Sequence, residues 1–156
     1  MFSSLLLAVA VSVCDVRDIS FISGFRARLP REVCVTRTDN ADYVIYQFTI
    51  GRDTRPILEA YAGNAADFFY FAPVDGAGRS DACGGILHIA ESAHGNVTQV
   101  GGAGDNADGH CGEVLVRRPA KHGSVGSAAV HFWYSRLSPS EERLARGIID
   151  AVESAK

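Results

Sequence analysis

With 156 residues, 47% of them apolar and 21% charged, the chain is long enough for one hydrophobic core and too apolar to be disordered. Its formal net charge is −3, and no basic run is denser than Arg26/Arg28/Arg31 or Arg117-Arg118-x-x-Lys121, which excludes the usual electrostatic footprint of a nucleic-acid binder. One domain is expected, with no internal repeat and no linker.

The chain begins with an uncharged, mostly apolar stretch, Met1 to Val13. It is too short to cross a bilayer core but suits the apolar centre of a secretory signal, and Ala8-Val-Ala10 supplies a small-x-small cleavage motif. The basic flank that commonly precedes such a core is missing, and a buried N-terminal strand or helix is the competing reading. Residues 1–13 are therefore predicted as a signal peptide and 14–156 as a single globular domain, periplasmic or secreted, with no stable membrane insertion. Val13 stands where a lipoprotein signal needs a small residue before the cysteine, which argues against lipidation.

Cysteine usage agrees with export. Cys14, Cys34, Cys83 and Cys111 are even in number and show no Cys-x-x-Cys spacing, against a zinc ribbon or a redox pair. In an oxidising compartment they form two disulfides, with three connectivities open. Proximity favours Cys14–Cys34 and Cys83–Cys111, each contributing roughly 3 kcal/mol by constraining the unfolded chain.

Asp15 to Pro30 is mixed, with Phe21, Phe25 and Leu29 at helical spacing but Gly24 between them; Pro30 bars helix at Leu29. Glu32 to Thr38 is rich in β-branched residues and reads as a strand, closed by the turn cluster Asp39-Asn-Ala-Asp42. Tyr43 to Ile50 places Val44, Tyr46, Phe48 and Ile50 on one face, and its other face is also partly apolar, as in a central strand. After the connection Gly51 to Pro56, Ile57 to Ala62 returns as a second strand. The window Asp42 to Pro73 holds four of the eight Phe and four of the five Tyr, so the core is expected to concentrate there.

Val74 to Gly84 reads as a loop, then Gly85 to Ser92 and Asn96 to Val100 as a hairpin. Gly101 to Gly112, with five glycines, reads as the least structured segment. Glu113 to Arg118 and Ala128 to Tyr134 are further strands around a loop at Pro119 to Gly126. The clearest element is the last. Ser138-Pro-Ser-Glu141 combines an N-cap serine, a first-position proline and a capping-box glutamate. Leu144, Ala145, Ile148, Ile149 and Val152 then line one face of an amphipathic helix of about four turns. Gly147 within it suggests close approach to the sheet. The expected class is α+β: a mainly antiparallel sheet of six or seven strands with the C-terminal helix on one face.

No motif fixes a chemistry. A Gly-x-Ser-x-Gly elbow, a phosphate loop and a dinucleotide fingerprint are all missing, and no cofactor is expected. Asp105, Asp108, His110 and Glu113 crowd the glycine-rich segment, where oxygen ligands suit Ca²⁺. With His88 they are the candidates for the alternative reading, a metal-dependent hydrolase assembled around Gly101–Glu113. Against it, Asn106 stands where a calcium-binding glycine-rich repeat needs Asp, and no EF-hand Glu follows. His88 and His131 fall inside strands and read as satisfied face residues; His94 and His122 lie in glycine loops. Asn96-Val-Thr98 fits a glycosylation acceptor.

The preferred reading is a non-enzymatic module that binds a protein partner, by analogy with small periplasmic inhibitors and immunity proteins. The Asn64 corner and the wall Phe68, Phe69, Tyr70 and Phe71 are its candidate contact surface. The loops Gly51–Arg55, Val74–Arg79 and Gly101–Gly112 are further expected contact surfaces, with Asp75, Asp81, Asp105 and Asp108 as acidic tips for a basic partner.

Overall fold

The computed structural model describes residues 10–63, 76–119 and 128–155. In chain order the elements are β1 (Ala10–Val13), β2 (Asp18–Phe21), β3 (Phe25–Arg28), β4 (Val33–Asp39), β5 (Tyr43–Ile50), β6 (Leu58–Gly63), β7 (Ala77–Ser80), β8 (Gly85–His88), β9 (Ala90–His94), β10 (Val97–Asn106), β11 (Gly109–Arg117), β12 (Ala129–Leu137), α1 (Pro139–Asp150) and β13 (Glu153–Ser154). The α+β expectation holds: an antiparallel sheet carries one C-terminal helix. The main sheet is larger than expected, with eight strands in the order β1-β4-β5-β6-β12-β11-β10-β9 in place of six or seven. Its centre is a non-local seam, where Val130 to Trp133 of β12 pair with Glu59 to Ala62 of β6.

One face of this sheet carries the core. Val44, Tyr46 and Phe48 of β5, Leu58, Ala60 and Ala62 of β6, and Val130, Phe132 and Tyr134 of β12 are all buried, at alternate positions as the pleat requires. The β2–β3 hairpin and α1 cover them. Phe21 meets Tyr46 edge-on at 4.9 Å and Phe132 at 5.7 Å. The Asp15–Pro30 segment is thus a hairpin, and its uneven apolar spacing has a reason. Gly24 takes φ +81° at the turn, and Ile19, Phe21, Phe25 and Ala27 all point inward.

The helix begins as its sequence dictates. The Ser138 hydroxyl accepts from Glu141 N–H, the Glu141 carboxylate accepts from Ser138 N–H at 2.7 Å, and Pro139 opens the first turn. The Ser138 N–H bond is the chief reason the Glu141 carboxyl is held below its usual pKa, with an ion pair from Arg55 assisting. A depressed carboxylate stabilises the fold above its unfolded pKa, and the cap weakens as pH falls through the lowered value. Two expectations fail here. The helix stops at Asp150, capped by Ala151; Val152 still reaches the core, but from the turn that leads Glu153 into β13 beside β3. Gly147 faces open space, with no atom near the Cβ it lacks, so it marks no close approach to the sheet.

Gly101 to Gly112 is the chief correction. It is no loop but most of the β10–β11 hairpin, paired residue for residue from Thr98↔Arg117 to Asn106↔Gly109. Its glycines give room. A Cβ on Gly102 would lie 2.2 Å from the His88 carbonyl oxygen, and one on Gly104 2.9 Å from Leu87. They let the β7–β8 hairpin, whose first strand falls inside the segment predicted as loop, lie on the sheet's second face, away from the helix. Gly112 likewise makes space for the Tyr134 ring on the core face, 2.4 Å from its missing Cβ.

Both disulfides have the pairing that proximity favoured. Cys14–Cys34 ties the end of β1 to β4, and Cys83–Cys111 ties the β7–β8 turn to β11. Two intramolecular disulfides fit an oxidising compartment. Among the described residues, no helix is long and apolar enough to cross a membrane. Asn96 uses both side-chain polar atoms to hold the C-terminus, accepting from Ser154 N–H at 2.9 Å and donating to its carbonyl at 3.0 Å.

Candidate functional site

The second face of the sheet carries a polar row at its centre. Registers place Gln47 opposite Glu59, Glu59 opposite Trp133, and Trp133 opposite Glu113, so four polar side chains cross β5, β6, β12 and β11 in line. At strand spacing, the Glu59 and Glu113 backbones stand roughly 10 Å apart with the indole between them. One row along come Ile45, Tyr61, His131 and Leu115. Central strands seldom carry so many polar groups unless each is satisfied.

Here they are satisfied. Glu59 accepts from Gln47 Nε2 on one oxygen and from Trp133 Nε1 on the other, both at 2.9 Å. Glu113 is 2% exposed; its Oε1 lies 2.7 Å from His131 Nε2, and its Oε2 accepts from the Ser80 hydroxyl at 2.5 Å. The His131 and Trp133 rings are 5.4 Å apart, and Tyr61 stacks on Tyr43 at 5.0 Å. Ser80 ends β7, and its oxygen also accepts from Cys83 N–H. The β7–β8 turn is therefore a strap over this face. Leu87 rests on Gly104, Cys83 is bonded to Cys111, and Ser80 is bonded to Glu113.

Beside the strap lies a cleft of about 530 Å³, lined by Glu59, Tyr61, Asp81, Glu113, His131 and Trp133, with Ala82 and Ser135 at its edge. A second cleft of about 480 Å³ adjoins it and shares Glu59, Asp81, Ala82, Trp133 and Ser135. Arg55 and Arg136 lie in this second part. Arg55 pairs with Glu141, and Arg136 Nε is 3.8 Å from Asp108. Together the two clefts make one groove across the sheet.

The chemistry of the groove is that of a fixed surface. Ser80, Glu113 and His131 look like a hydrolytic set, but the carboxylate stands in the middle. The serine hydroxyl donates to Glu113 and is 0% exposed. In acyl transfer the imidazole must stand between serine and carboxylate to take the hydroxyl proton. Both oxygens of Glu59 and of Glu113 already hold internal partners, which orients them and the rings beside them.

The residues picked from the sequence disperse. Asp105 and His110 are cross-strand neighbours near the hairpin tip, 2.5 Å apart. The imidazole also lies 3.4 Å from Glu142 at the start of the helix. Tyr134 donates to Glu142 at 3.0 Å; burial first and that carboxylate second push its phenol well above the usual range. Asp108 sits in the turn, where its N–H bonds Asn106 and its carboxylate faces Arg136. Glu113 belongs to the buried network of the second face, with Ser80 and His131, and His88 lies on β8. The alternative built on Gly101–Glu113 therefore loses its common centre. Among the described residues, no three His, Cys, Asp or Glu side chains converge as metal ligands. Asn64, Phe68, Phe69, Tyr70 and Phe71, with Asp75 and His122, lie outside the described residues.

Glu59, Tyr61, Ser80 and Trp133 were not singled out from the sequence, and His131 was read as a satisfied face residue. It is satisfied, but as part of the cleft wall. The signal was parity: His131 with Trp133, and Glu59 with Tyr61, share the face opposite the core on two central strands. Compared with protein-family models, with curated proteins and with solved structures, the chain finds no match.

Proposed function

We propose that this protein is an exported, disulfide-stapled, non-enzymatic binding module that acts on a protein partner in the periplasm or outside the cell, in the manner of an inhibitor or immunity protein. The observation that carries this reading is the groove of the second face. Its polar groups are locked to one another, its serine is held by the strap against Glu113, and what faces the cleft is an aromatic and carboxylate wall. Such a surface suits recognition, because little rotamer freedom is lost when a partner docks on preorganised rings.

The test is a partner screen with the disulfide-bonded protein as bait against its own extracytoplasmic fraction. The expected result is a complex of defined stoichiometry that Trp133→Ala weakens at least about tenfold, as for a central aromatic anchor. Glu91→Gln on the edge strand β9 should leave it intact. A stoichiometric complex indifferent to Trp133→Ala, or none at all, overturns the proposal.

The export step has its own readout. The mature protein should have lost residues at or near Ala10 and weigh two hydrogens less per disulfide. Cleavage after Ala10 would leave Val11 to Val13 to pair with β4 and Cys14 to bond Cys34. An intact Met1 with four free thiols in whole-protein mass spectrometry would refute both signal and staples.

A further inference from the structure

We propose that the 530 Å³ cleft is the anchor pocket for a basic side chain of the partner, an arginine, seated against Trp133 and paired with Glu59 and Asp81. This rests on the reading of the groove as a protein contact and adds what that contact selects. The first ground is charge. Glu59, Asp81 and Glu113 line the cleft, while no Lys or Arg does so among the described residues. The arginines next door are already engaged, Arg55 with Glu141 and Arg136 facing Asp108, so they do little to offset the cleft's field. Both donors to Glu59, the Gln47 amide and the Trp133 indole, are neutral, so neither brings a positive charge against this carboxylate.

The second ground is shape. Trp133 and Tyr61 give the cleft aromatic surface, and the Trp133 edge is fixed by its bond to Glu59. A guanidinium is planar, weakly hydrated and stacks on aromatic faces while its edge N–H groups reach carboxylates. A bare metal ion would instead need several converging ligands, and no such group of His, Cys, Asp or Glu is present among the described residues; a guanidinium needs only the second lone pair of an already bonded Glu59 oxygen. Asp81 stands exposed on the strap and lines the cleft, and it is its carbonyl that closes the turn, accepting from Gly84 N–H at 3.2 Å.

Trp133 is the chain's only tryptophan, so its indole N–H resonance and its fluorescence report on the cleft alone. The experiment titrates the full disulfide-bonded protein with ethylguanidinium, with n-butylammonium and with N-ethylurea, the neutral isostere of the first. The expected result is a saturable indole shift with ethylguanidinium, at least about tenfold tighter than with N-ethylurea and weaker as salt rises. Glu59→Gln and Asp81→Asn should each weaken it several-fold, and Glu91→Gln should not. Asp81→Asn covers the case in which Glu59→Gln disturbs the indole. Tighter binding of n-butylammonium would overturn the arginine assignment. Equal response to N-ethylurea, or indifference to both carboxylate variants, would overturn the pocket itself. A partner that docks on Trp133 while the cations leave the indole unmoved sinks this inference alone. Saturable guanidinium binding without any protein partner sinks the module reading alone.

Discussion

Replacing Tyr46 by alanine is expected to destabilise the protein by about 3–5 kcal/mol, read as a shift in the midpoint of chemical denaturation at unchanged slope. The residue is 1% exposed at the centre of β5, where Phe21 packs edge-on against its ring and the Arg37 guanidinium lies 6.0 Å above it. Removing the ring leaves a cavity bounded by two elements, β2 and the main sheet, that cannot collapse without breaking strand register. The hydroxyl adds a smaller part: it accepts from Ile22 N–H at 3.3 Å, tying the β2–β3 turn to the sheet. Tyr46→Phe should therefore cost about 1 kcal/mol, the ordinary net value of one hydrogen bond. A loss below about 1 kcal/mol for Tyr46→Ala would place the ring outside the core and reverse the faces of β5.

Tyr46 also shows what the chain makes legible. The alternation Val44, Tyr46, Phe48 is a local pattern of period two, and local patterns survive folding: β4, β5, β6, the capped helix and both disulfide pairings can all be read from neighbours in sequence. The candidate site is not local. Its row is built by β6 meeting β12, which brings Glu59 beside Trp133 across more than seventy residues, and by a strap that carries Ser80 onto Glu113. Nothing in the sequence near Glu113 announces either. Composition misled at Gly101–Gly112, because glycine is scored as flexible whereas here it clears space for His88, Leu87 and Tyr134. The pairing of Asp105 with His110 is real but follows from a hairpin register, and the same register turns Glu113 to the second face.

Glu113→Ala tests that second face as Tyr46→Ala tests the first. The expected loss is about 3–5 kcal/mol, because the substitution strands the partners of a buried, hydrogen-bonded carboxylate. His131 and Ser80 are 6% and 0% exposed, so each loses a buried hydrogen-bond partner with the carboxylate. Glu113→Gln keeps the shape but replaces one acceptor oxygen with an NH₂ donor, and should cost less, about 1–3 kcal/mol for one unsatisfied group. The two variants also separate energy from position. The Cys83–Cys111 bond still tethers the strap when the Ser80–Glu113 bond is gone, so amide exchange at Cys83 and Ser80 should quicken while β4 and β5 keep their protection. If both variants cost under about 1 kcal/mol, the carboxylate is hydrated in solution and the strap stands open. The cleft wall would then be mobile, and the preorganisation on which the proposed recognition role depends would be lost. A large loss confined to the strap and β11 would instead mark Glu113 as the residue that holds the wall beside Glu59 and Trp133 in place.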